Sequence, residues 1–548
     1  MMKVLLITGG RARRVIVLAQ QIERHVPGAK ICGIVYKVPA SSEVALASRF
    51  YSVARSVGAW AARLLLAAIH GGRPYRPETT GSDRNALARK CQQAGWDLCV
   101  TENIESPEVP KFIREKQANL AAAAGLGSVP RALAGFTLRG IIQGQIFALD
   151  KQGVEAPAGP KAATTVDACR LKVTQLGPQG ETLLARFDLS PEPLDTQASL
   201  ELKGNLILRD LLVQSIAAIA EQPETVTDRM ERWIRNMIPS YLSQAGALQE
   251  DSIDQAPPLR IRANWKLCIH SLFLFSPSVI VRNWLRHWRK QHPVVFLNSH
   301  LISDRHHRMT LPTEAFFRVV KYLQRHYRIV GLSEASRLLK SGSVSEPTVV
   351  LTFDDGYEEN FLNLRAVAEE TGVPVVLFVS TQIVTEHRGF THDLERGLTG
   401  FRALTWDQIR YWSNAGAEFG SHTCSHYDCG SIDQAALENE IVESKHELET
   451  QLKKPIAAFA FPFGKPENMS ERAIAIAGKT YEHFLSSFGG ENLPSTSENH
   501  THLLRKHLQG NAWEAELELQ GVLKRFLRLG PPKRKLEIAT TGHSLDVL

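Results

Sequence analysis

A single strand near the middle of the chain sets the strongest limit on its fold. Residues 348–353 read TVVLTF, an unbroken run of β-branched and apolar residues, and the run stops at Asp354, Asp355 and Gly356. A continuous apolar strand is typical of a parallel sheet that is covered on both faces. Two carboxylates therefore stand where a buried strand reaches solvent, which in a parallel barrel is the end where catalytic groups collect.

Two further strand ends carry polar or turn-forming residues. Because Asp and Gly are also common turn residues, the first motif alone does not define a site. Residues 418–426, EFGSHTCSH, place His422 and His426 directly after a short strand, and their spacing predicts that both rings lie on one side of a helical turn and bind one cation. Residues 459–464, FAFPFG, end a third strand in a turn that can direct a backbone N–H towards an oxyanion.

Helices are predicted between these strands. Thr405 and Gln408 form a capping box at the start of one helix, and Gly416 marks its end. Alternating strands and helices with the polar residues at strand ends predict a distorted (β/α) barrel.

The length of 548 residues exceeds one ordinary core, so more than one domain is expected. The opening residues, MMKVLLITGG, are interpreted as a first strand rather than a signal peptide. We predict an α/β protein with an open Rossmann-like sheet in residues 1–222, a helical connector in 223–292, the barrel in 293–530 and a disordered tail in 531–548.

The three strand-end motifs resemble those of the polysaccharide deacetylases, the NodB-homology carbohydrate esterases of family 4. The matching residues are TFDDGY at 352–357, SHTCSH at 421–426 and FPFG at 461–464, within a resemblance that runs from about residue 294 to 504. The resemblance implies that Asp355, His422 and His426 bind a divalent metal, commonly zinc. It also implies that Asp354 is the general base that takes a proton from the attacking water.

The same resemblance assigns further roles and shows two departures. It implies that the backbone N–H of Phe463 stabilises the oxyanion. The family's late histidine protonates the leaving amine; His507 is the candidate, but the Leu-any-His pattern is absent and a solvated surface histidine is the alternative. The family's arginine before the third motif is replaced by Ala457 and Ala458, so the orientation of Asp354 is unexplained. Five residues are candidates for lining the cleft: His300, His306, His307, His392 and Asp393.

The N-terminal half resembles, more loosely, the formyltransferases that use a folate formyl donor, through VLLITGG, ENIESPEV and residues 172–219. Active members carry an Asn-any-His pair, where this chain has Gln143 and Gln145. Neutral amides cannot replace an imidazole that handles protons, so an inactive domain is predicted, with a sugar or nucleotide ligand left open. Gly9 and Gly10 do not complete a dinucleotide fingerprint, and no such cofactor is predicted.

These features predict a hydrolase acting on carbon–nitrogen bonds other than peptide bonds. The expected reaction removes an N-acetyl group from an amino sugar, nucleotide-linked or lipid-linked, in polysaccharide or glycolipid biosynthesis. One alternative is a deformylase acting on a lipid- or nucleotide-linked N-formyl amino sugar. Another is a non-catalytic sugar-binding protein of two domains, which the intact Asp355, His422 and His426 argue against.

Charge and cysteine usage suggest where the chain works. A net charge of +7 favours acidic partners, while the aromatic content of 7% and the lack of a basic stripe argue against nucleic acid. Seven scattered cysteines without a CxxC pair indicate a reducing, cytoplasmic setting. No membrane-spanning segment is predicted. Residues 265–288 are basic and amphipathic, and either rest on the anionic inner leaflet or pack between domains.

Overall fold

Two α/β units account for the part of the chain that the computed structural model describes. The described residues are 1–38, 83–126, 128–149, 155–157, 168–177, 180–221, 226–239, 242, 274, 276–497 and 500–521. Those up to 242 belong to one unit and those from 274 onward to the other. Both units therefore contain part of the segment predicted as a connector. The predicted tail at 531–548 lies outside the described residues, and the four-part division stays a prediction.

The first unit is built on an open sheet that is parallel in one half and antiparallel in the other. Its strands are β1 (Met2–Gly9), β2 (Ala29–Lys37), β3 (Asp97–Thr101), β4 (Leu120–Ala124), β5 (Ile141–Leu149), β6 (Glu155–Pro157), β7 (Ala168–Gly177) and β8 (Gly180–Leu189). The order is β3-β2-β1-β4-β5-β7-β8, with β6 also on β5. Pairing is parallel from β3 to β5 and antiparallel from β5 to β8. The predicted open Rossmann-like sheet is confirmed.

Helices pack against the faces of this sheet. They are α1 (Ala12–His25), α2 (Asp83–Ala94), α3 (Glu108–Lys116), α4 (Gln197–Glu221) and α5 (Val226–Met237). α4 has 25 residues and packs on β5 and β7. No helix in the described ranges combines the length and apolarity that crossing a membrane requires.

The second unit contains a nearly closed barrel of parallel strands. Its strands are β9 (Val294–Ser299), β10 (Leu301–Ile302), β11 (Thr310–Leu311), β12 (Arg328–Ile329), β13 (Thr348–Phe353), β14 (Val376–Val379), β15 (Glu418–Ser421), β16 (Ala458–Ala460), β17 (His483–Leu485), β18 (His502–Leu503) and β19 (Arg505–His507). The order around the barrel is β18-β17-β16-β15-β14-β13-β9-β19, with β12 on β13 and a separate pair of β10 and β11. β18 and β19, the strands at the two ends of this order, are separated along the chain by Leu504 alone. The predicted (β/α) barrel is confirmed.

Helices alternate with these strands, as the sequence predicts. They are α6 (Pro277–Arg289), α7 (Thr313–His326), α8 (Leu332–Lys340), α9 (Glu359–Thr371), α10 (Thr381–Glu386), α11 (Thr391–Leu394), α12 (Trp406–Ala415), α13 (Gln434–Glu438), α14 (Ser444–Leu452), α15 (Glu471–Thr480) and α16 (Ala512–Leu519). The capping box of Thr405 and Gln408 at the start of α12 is confirmed, and Gly416 ends that helix in the left-handed conformation.

Helix α8 closes the N-terminal end of the barrel. Its apolar residues Leu332, Ala335 and Leu339 share one core with the strand residues Val350 and Phe378. Polar contacts hold the helix to strand starts: Ser333 N–H donates to the Glu418 carboxylate over 3.2 Å, and Ser336 Oγ lies 2.8 Å from His483 Nε2. Because α8 covers this end, the groups at the C-terminal ends of the strands form the accessible mouth of the barrel.

His502, a partly buried histidine on β18, predicts acid sensitivity of this unit. His502 stacks on Phe484, its Nε2 lies 2.9 Å from Ser486 Oγ, and burial lowers its pKa to about 4. An unfolded histidine titrates near pH ~6.5, so its stabilising contribution is complete above that pH and is lost as the pH falls towards the folded value. The unfolding free energy is expected to fall by roughly 3 kcal/mol across this window.

The measurement is the urea midpoint of the barrel transition between pH 7 and pH 4 for His502→Gln. The matched control is His446→Gln, at an exposed position on α14. We expect the pH dependence to shrink for His502→Gln and to stay unchanged for the control. An unaltered pH dependence in His502→Gln would show that this imidazole is not the acid-sensitive group.

Candidate metal centre

The two aspartates at the end of β13 are fixed by a tight turn. All six residues of β13 are buried, and Asp354 N–H donates to Ser299 O over 3.0 Å. Asp355 then adopts a left-handed backbone with φ of 69°, and Gly356 follows at 75°. A side chain at Gly356 would place its Cβ 2.6 Å from Val379 Cγ1, so glycine is required there. The turn presents both carboxylates at the mouth of the barrel.

Asp355, His422 and His426 meet in one cluster, as the sequence predicts. Asp355 Oδ1 lies 3.4 Å from His422 Nε2 and 3.3 Å from His426 Nε2, and the three ligand atoms lie within 4.8 Å of one another. Bonds of about 2.0–2.1 Å to a tetrahedral zinc separate neighbouring ligand atoms by roughly 3.3 Å, so the spacing fits.

The hydrogen bonds around the cluster favour the same interpretation. His422 Nδ1 lies 2.8 Å from Ala460 O, and an N–H at Nδ1 that donates to this carbonyl leaves the Nε2 lone pair directed towards Asp355. Asp355 Oδ1 is buried and accepts no hydrogen bond from the described residues. A buried carboxylate oxygen facing two imidazole nitrogens is the donor set of a divalent cation such as zinc.

The backbone that carries the two histidines differs from the prediction. The expected helical turn is wrong: residues 422–426 form an irregular loop in which Thr423 and His426 have φ of 66° and 62°. Glu440 holds this loop, because its carboxylate accepts hydrogen bonds from the backbone N–H groups of Cys424 and Ser425, both over 2.9 Å, and from Ser425 Oγ. The residue types and spacing predicted the three residues that cluster, whereas no motif pointed to Glu440.

An arginine from the last strand of the barrel binds Asp354. Arg505 Nη1 and Nη2 donate to Asp354 Oδ1 and Oδ2 over 2.7 and 2.8 Å, and both side chains are buried. Arg505 Nε donates to Ser486 O, and Nη2 also donates to Ser487 Oγ. The orientation of Asp354 is therefore explained by Arg505, which sequence reasoning missed because it looked near Ala457 and Ala458.

Charge around the two aspartates keeps them ionised. Burial raises the pKa of Asp354, but the charge of Arg505, assisted by His422, outweighs burial and leaves that pKa below its usual value. Burial also raises the pKa of Asp355, but His422 and His426 lower it further, to well below its usual value. Both carboxylates are therefore anionic at neutral pH, as a metal ligand and a base require.

Unusual backbone angles concentrate at this cluster. Nine described non-glycine residues have positive φ, and four of them, Asp355, Thr423, His426 and Phe463, carry or adjoin the proposed functional groups. Such conformations cost of order 1–3 kcal/mol each and gather at functional sites. Phe463 has φ of 60° and its half-exposed ring packs edge-on against His426 at 4.9 Å, so this turn stands beside the cluster.

The further histidine candidates separate into two groups. His392 lies with its ring centroid 5.5 Å from that of His426, and its Nε2 lies 2.9 Å from Tyr357 Oη. Asp393 accepts a hydrogen bond from Tyr357 Oη over 2.6 Å and lies 2.9 Å from Nε2 of the buried His307. His307 therefore contacts Asp393 from the interior of the barrel unit. His300 is close enough that its charge lowers the pKa of both Asp354 and Asp355, whereas His306 is exposed.

His507 lies two residues beyond Arg505 on β19. Alternate residues of a strand point to the same face, so both side chains are on the inner side of the barrel sheet. His507 is exposed and lies opposite Asn298 in the pairing of β19 with β9. This position is compatible with the mouth of the barrel, and its role as proton donor stays a prediction.

The residues singled out in the first unit occupy one strand and one turn. Gln143 and Gln145 lie on β5, where Gln143 is buried opposite Thr174 of β7. Gly10 has φ of 85°, and its carbonyl accepts a hydrogen bond from Tyr36 Oη over 2.6 Å. The predicted inactivity of this unit stays a prediction.

Part of the barrel unit matches a known protein family. Residues 341–481 match the polysaccharide deacetylase family, a stretch that includes Asp354, Asp355, His422 and His426 but ends before Arg505. The putative polysaccharide deacetylase YxkH of Bacillus subtilis is 24% identical over 174 residues, which are 31% of this chain and 56% of that protein. The chain thus spans little more than half of that relative. The predicted resemblance to the polysaccharide deacetylases is confirmed.

Solved structures match each half of the chain. The deacetylase PplD of Streptococcus pyogenes, in complex with acetate, is 20% identical with a TM-score of 0.35, covering 42% of this chain and 98% of that one. Phosphoribosylglycinamide formyltransferase of Bacillus halodurans matches the N-terminal half at 13% identity and a TM-score of 0.27, covering 41% of this chain and 98% of that one.

Proposed function

We propose that this chain is a divalent-metal-dependent hydrolase that removes an N-acetyl group from an amino sugar. The observation that carries the proposal is the adjacency of two differently held aspartates. Asp355 faces the two histidines, while Asp354 is held by Arg505 at the mouth of the barrel. A cation site with a separate, fixed carboxylate beside it is the arrangement that metal-assisted hydrolysis of an amide needs.

Each residue of the centre has a chemical task. Asp355, His422 and His426 form a donor set that suits zinc, and the bound cation would supply a Lewis acid for the acyl carbonyl and for the attacking water. Asp354 accepts the proton of that water, and Arg505 fixes both oxygens so that the carboxylate keeps one orientation. The backbone N–H of Phe463 stabilises the oxyanion, and His507 protonates the leaving amine.

The substrate and the cellular setting form the finer part of the proposal. A net charge of +7 suits an acyl amino sugar on an anionic nucleotide or lipid carrier, as an intermediate of polysaccharide or glycolipid synthesis. The six described cysteines are free thiols, which supports a reducing, cytoplasmic compartment. Cell fractionation tests the compartment, and recovery of the chain outside the cytoplasmic and membrane-associated fractions would contradict it.

Metal removal is expected to abolish turnover. We expect the chelated protein to lose at least roughly 100-fold in acetate release from N-acetyl amino sugars, because the carbonyl is no longer polarised, and to recover when zinc is restored. His426→Gln is expected to lower metal content and turnover together. The matched control is His446→Gln, at an exposed position on α14.

The same assay decides between acyl groups. A panel of N-acetyl and N-formyl amino sugars, free and carrier-linked, is followed for acetate and for formate. Formate release without acetate release would replace the deacetylase by a deformylase. No release of either product from the zinc-loaded chain would contradict a hydrolytic function.

A further inference from the structure

One face of helix α6 presents large apolar side chains to solvent. Val281, Trp284 and Trp288 are 52%, 57% and 69% exposed. Their spacing of three and four places them on one stripe of the helix. The two indole rings are parallel, with centroids 6.4 Å apart and planes inclined by 6°. These three side chains therefore form one exposed apolar stripe on α6.

The opposite face of α6 is fixed to the barrel, so the exposed stripe belongs to an ordered helix. Asn283 Nδ2 donates to Gln520 Oε1 over 2.7 Å in a buried contact, and Val279 is buried. Arg286 forms an ion pair with Glu491. These contacts use the inward residues of α6 and leave the tryptophan stripe facing outward.

The composition of the stripe and of its border favours a lipid surface. Three of the eleven exposed large apolar side chains in the described ranges lie on this one helix, which is a concentration rather than normal scatter. Tryptophan is the side chain preferred where a protein meets the headgroup region of a bilayer. Arg289 and Lys290 are exposed at the same end as Trp288 and supply positive charge. Each cation near an anionic surface strengthens binding by roughly fivefold.

We propose that α6 docks the chain onto an anionic lipid bilayer, with Trp284 and Trp288 inserted at headgroup depth and Arg289 and Lys290 facing the lipid phosphates. The proposal rests on the surface of α6 alone and is independent of the hydrolytic function. Residues 265–273 and 275 of the predicted amphipathic segment lie outside the described residues and take no part in it.

The position of α6 leaves the metal centre accessible. Asn283 and Arg286 line a small cavity together with Pro347 and Thr348, at the start of β13. The aspartates follow the other end of this strand, and six residues of strand rise by roughly 20 Å. Docking through α6 therefore does not cover the mouth of the barrel, and the bound enzyme is expected to turn over a soluble substrate as fast as the free enzyme.

Vesicle sedimentation with the full chain tests the proposal. At low salt we expect the chain to sediment with vesicles of phosphatidylcholine mixed with phosphatidylglycerol, and much less with phosphatidylcholine alone. Trp284→Ser combined with Trp288→Ser is expected to lower the partition coefficient by roughly tenfold or more, because two aromatic side chains no longer leave water. Arg289→Glu combined with Lys290→Glu should reduce binding to the anionic vesicles only. The matched control is Ile432→Ser, at a side chain that is 78% exposed elsewhere on the barrel unit.

Three results would overturn the proposal: no sedimentation with anionic vesicles at low salt, equal sedimentation of the double tryptophan variant, or a dimer in solution that the tryptophan substitutions dissolve. The last result would show that a second copy covers the stripe. Quenching of tryptophan fluorescence by brominated lipid, lost in the double variant, supports insertion directly. A chain that sediments but releases no acetate supports the docking surface and contradicts only the proposed function.

Discussion

Asp354→Asn is expected to lower kcat by roughly 10²–10⁴-fold while the protein keeps its metal. The amide has the shape of the carboxylate but cannot accept the proton of the attacking water. Asp355, His422 and His426 are unchanged by the substitution, and their spacing fits a cation without help from Asp354. Turnover and metal binding are therefore expected to separate in this variant.

Kinetics together with metal analysis of the same preparations measure this separation. The matched control is Asp407→Asn, an exposed aspartate in the first turn of α12, for which kcat and metal content should equal those of the wild type. Wild-type turnover in Asp354→Asn would remove this residue from the role of base. Loss of metal in the variant would instead show that Asp354 contributes to the cation site.

Arg505→Met is expected to destabilise the barrel by roughly 3–5 kcal/mol and to abolish turnover at neutral pH. The substitution leaves the buried Asp354 carboxylate without its partner, and burial then raises the pKa of that group. A protonated Asp354 cannot act as a base. Arg505→Lys keeps the charge but not the two-pronged contact, so it should recover part of the stability and little of the activity.

A double variant distinguishes an unpaired charge from a simple packing defect. If the cost comes from the uncompensated carboxylate, Arg505→Met with Asp354→Asn should be more stable than Arg505→Met alone, and equally inactive. The urea midpoint is the measurement. The control is Arg318→Met, whose side chain is 75% exposed and whose ion pair with Glu314 should contribute almost nothing. A wild-type midpoint for Arg505→Met would show that the stability of the barrel does not depend on the ion pair between Arg505 and Asp354.

The sequence predicted the parts of the site that depend on local patterns. Strand β13 could be predicted because its run of β-branched and apolar residues is unbroken, and the histidine cluster because His422 and His426 follow a strand at short spacing. The barrel followed from the alternation of strands and helices. The geometry of the histidine loop could not be predicted, because the contacts that bend it come from Glu440, which belongs to a later helical stretch.

Arg505 was missed for a different physical reason. It lies 151 residues after Asp354, and nothing in the local sequence says which strands become neighbours. The barrel places β19 beside β9 and β9 beside β13, so a long side chain from the last strand reaches the end of β13. Residues 503–507, LLRKH, place two basic side chains directly after two leucines, and this was the available signal.

Because Arg505 lies on the final barrel strand, the activity of the site depends on the completion of folding. The residues assigned to the centre before it, from Asp354 to Phe463, come from earlier parts of the barrel, but the buried Asp354 has no counter-ion until β19 docks. Docking of β19 onto β9 supplies that counter-ion in the same step that completes the barrel sheet. A nascent or clipped chain that ends before residue 505 would therefore keep the three predicted metal ligands but lack the arginine that keeps Asp354 ionised, and we expect it not to hydrolyse substrate.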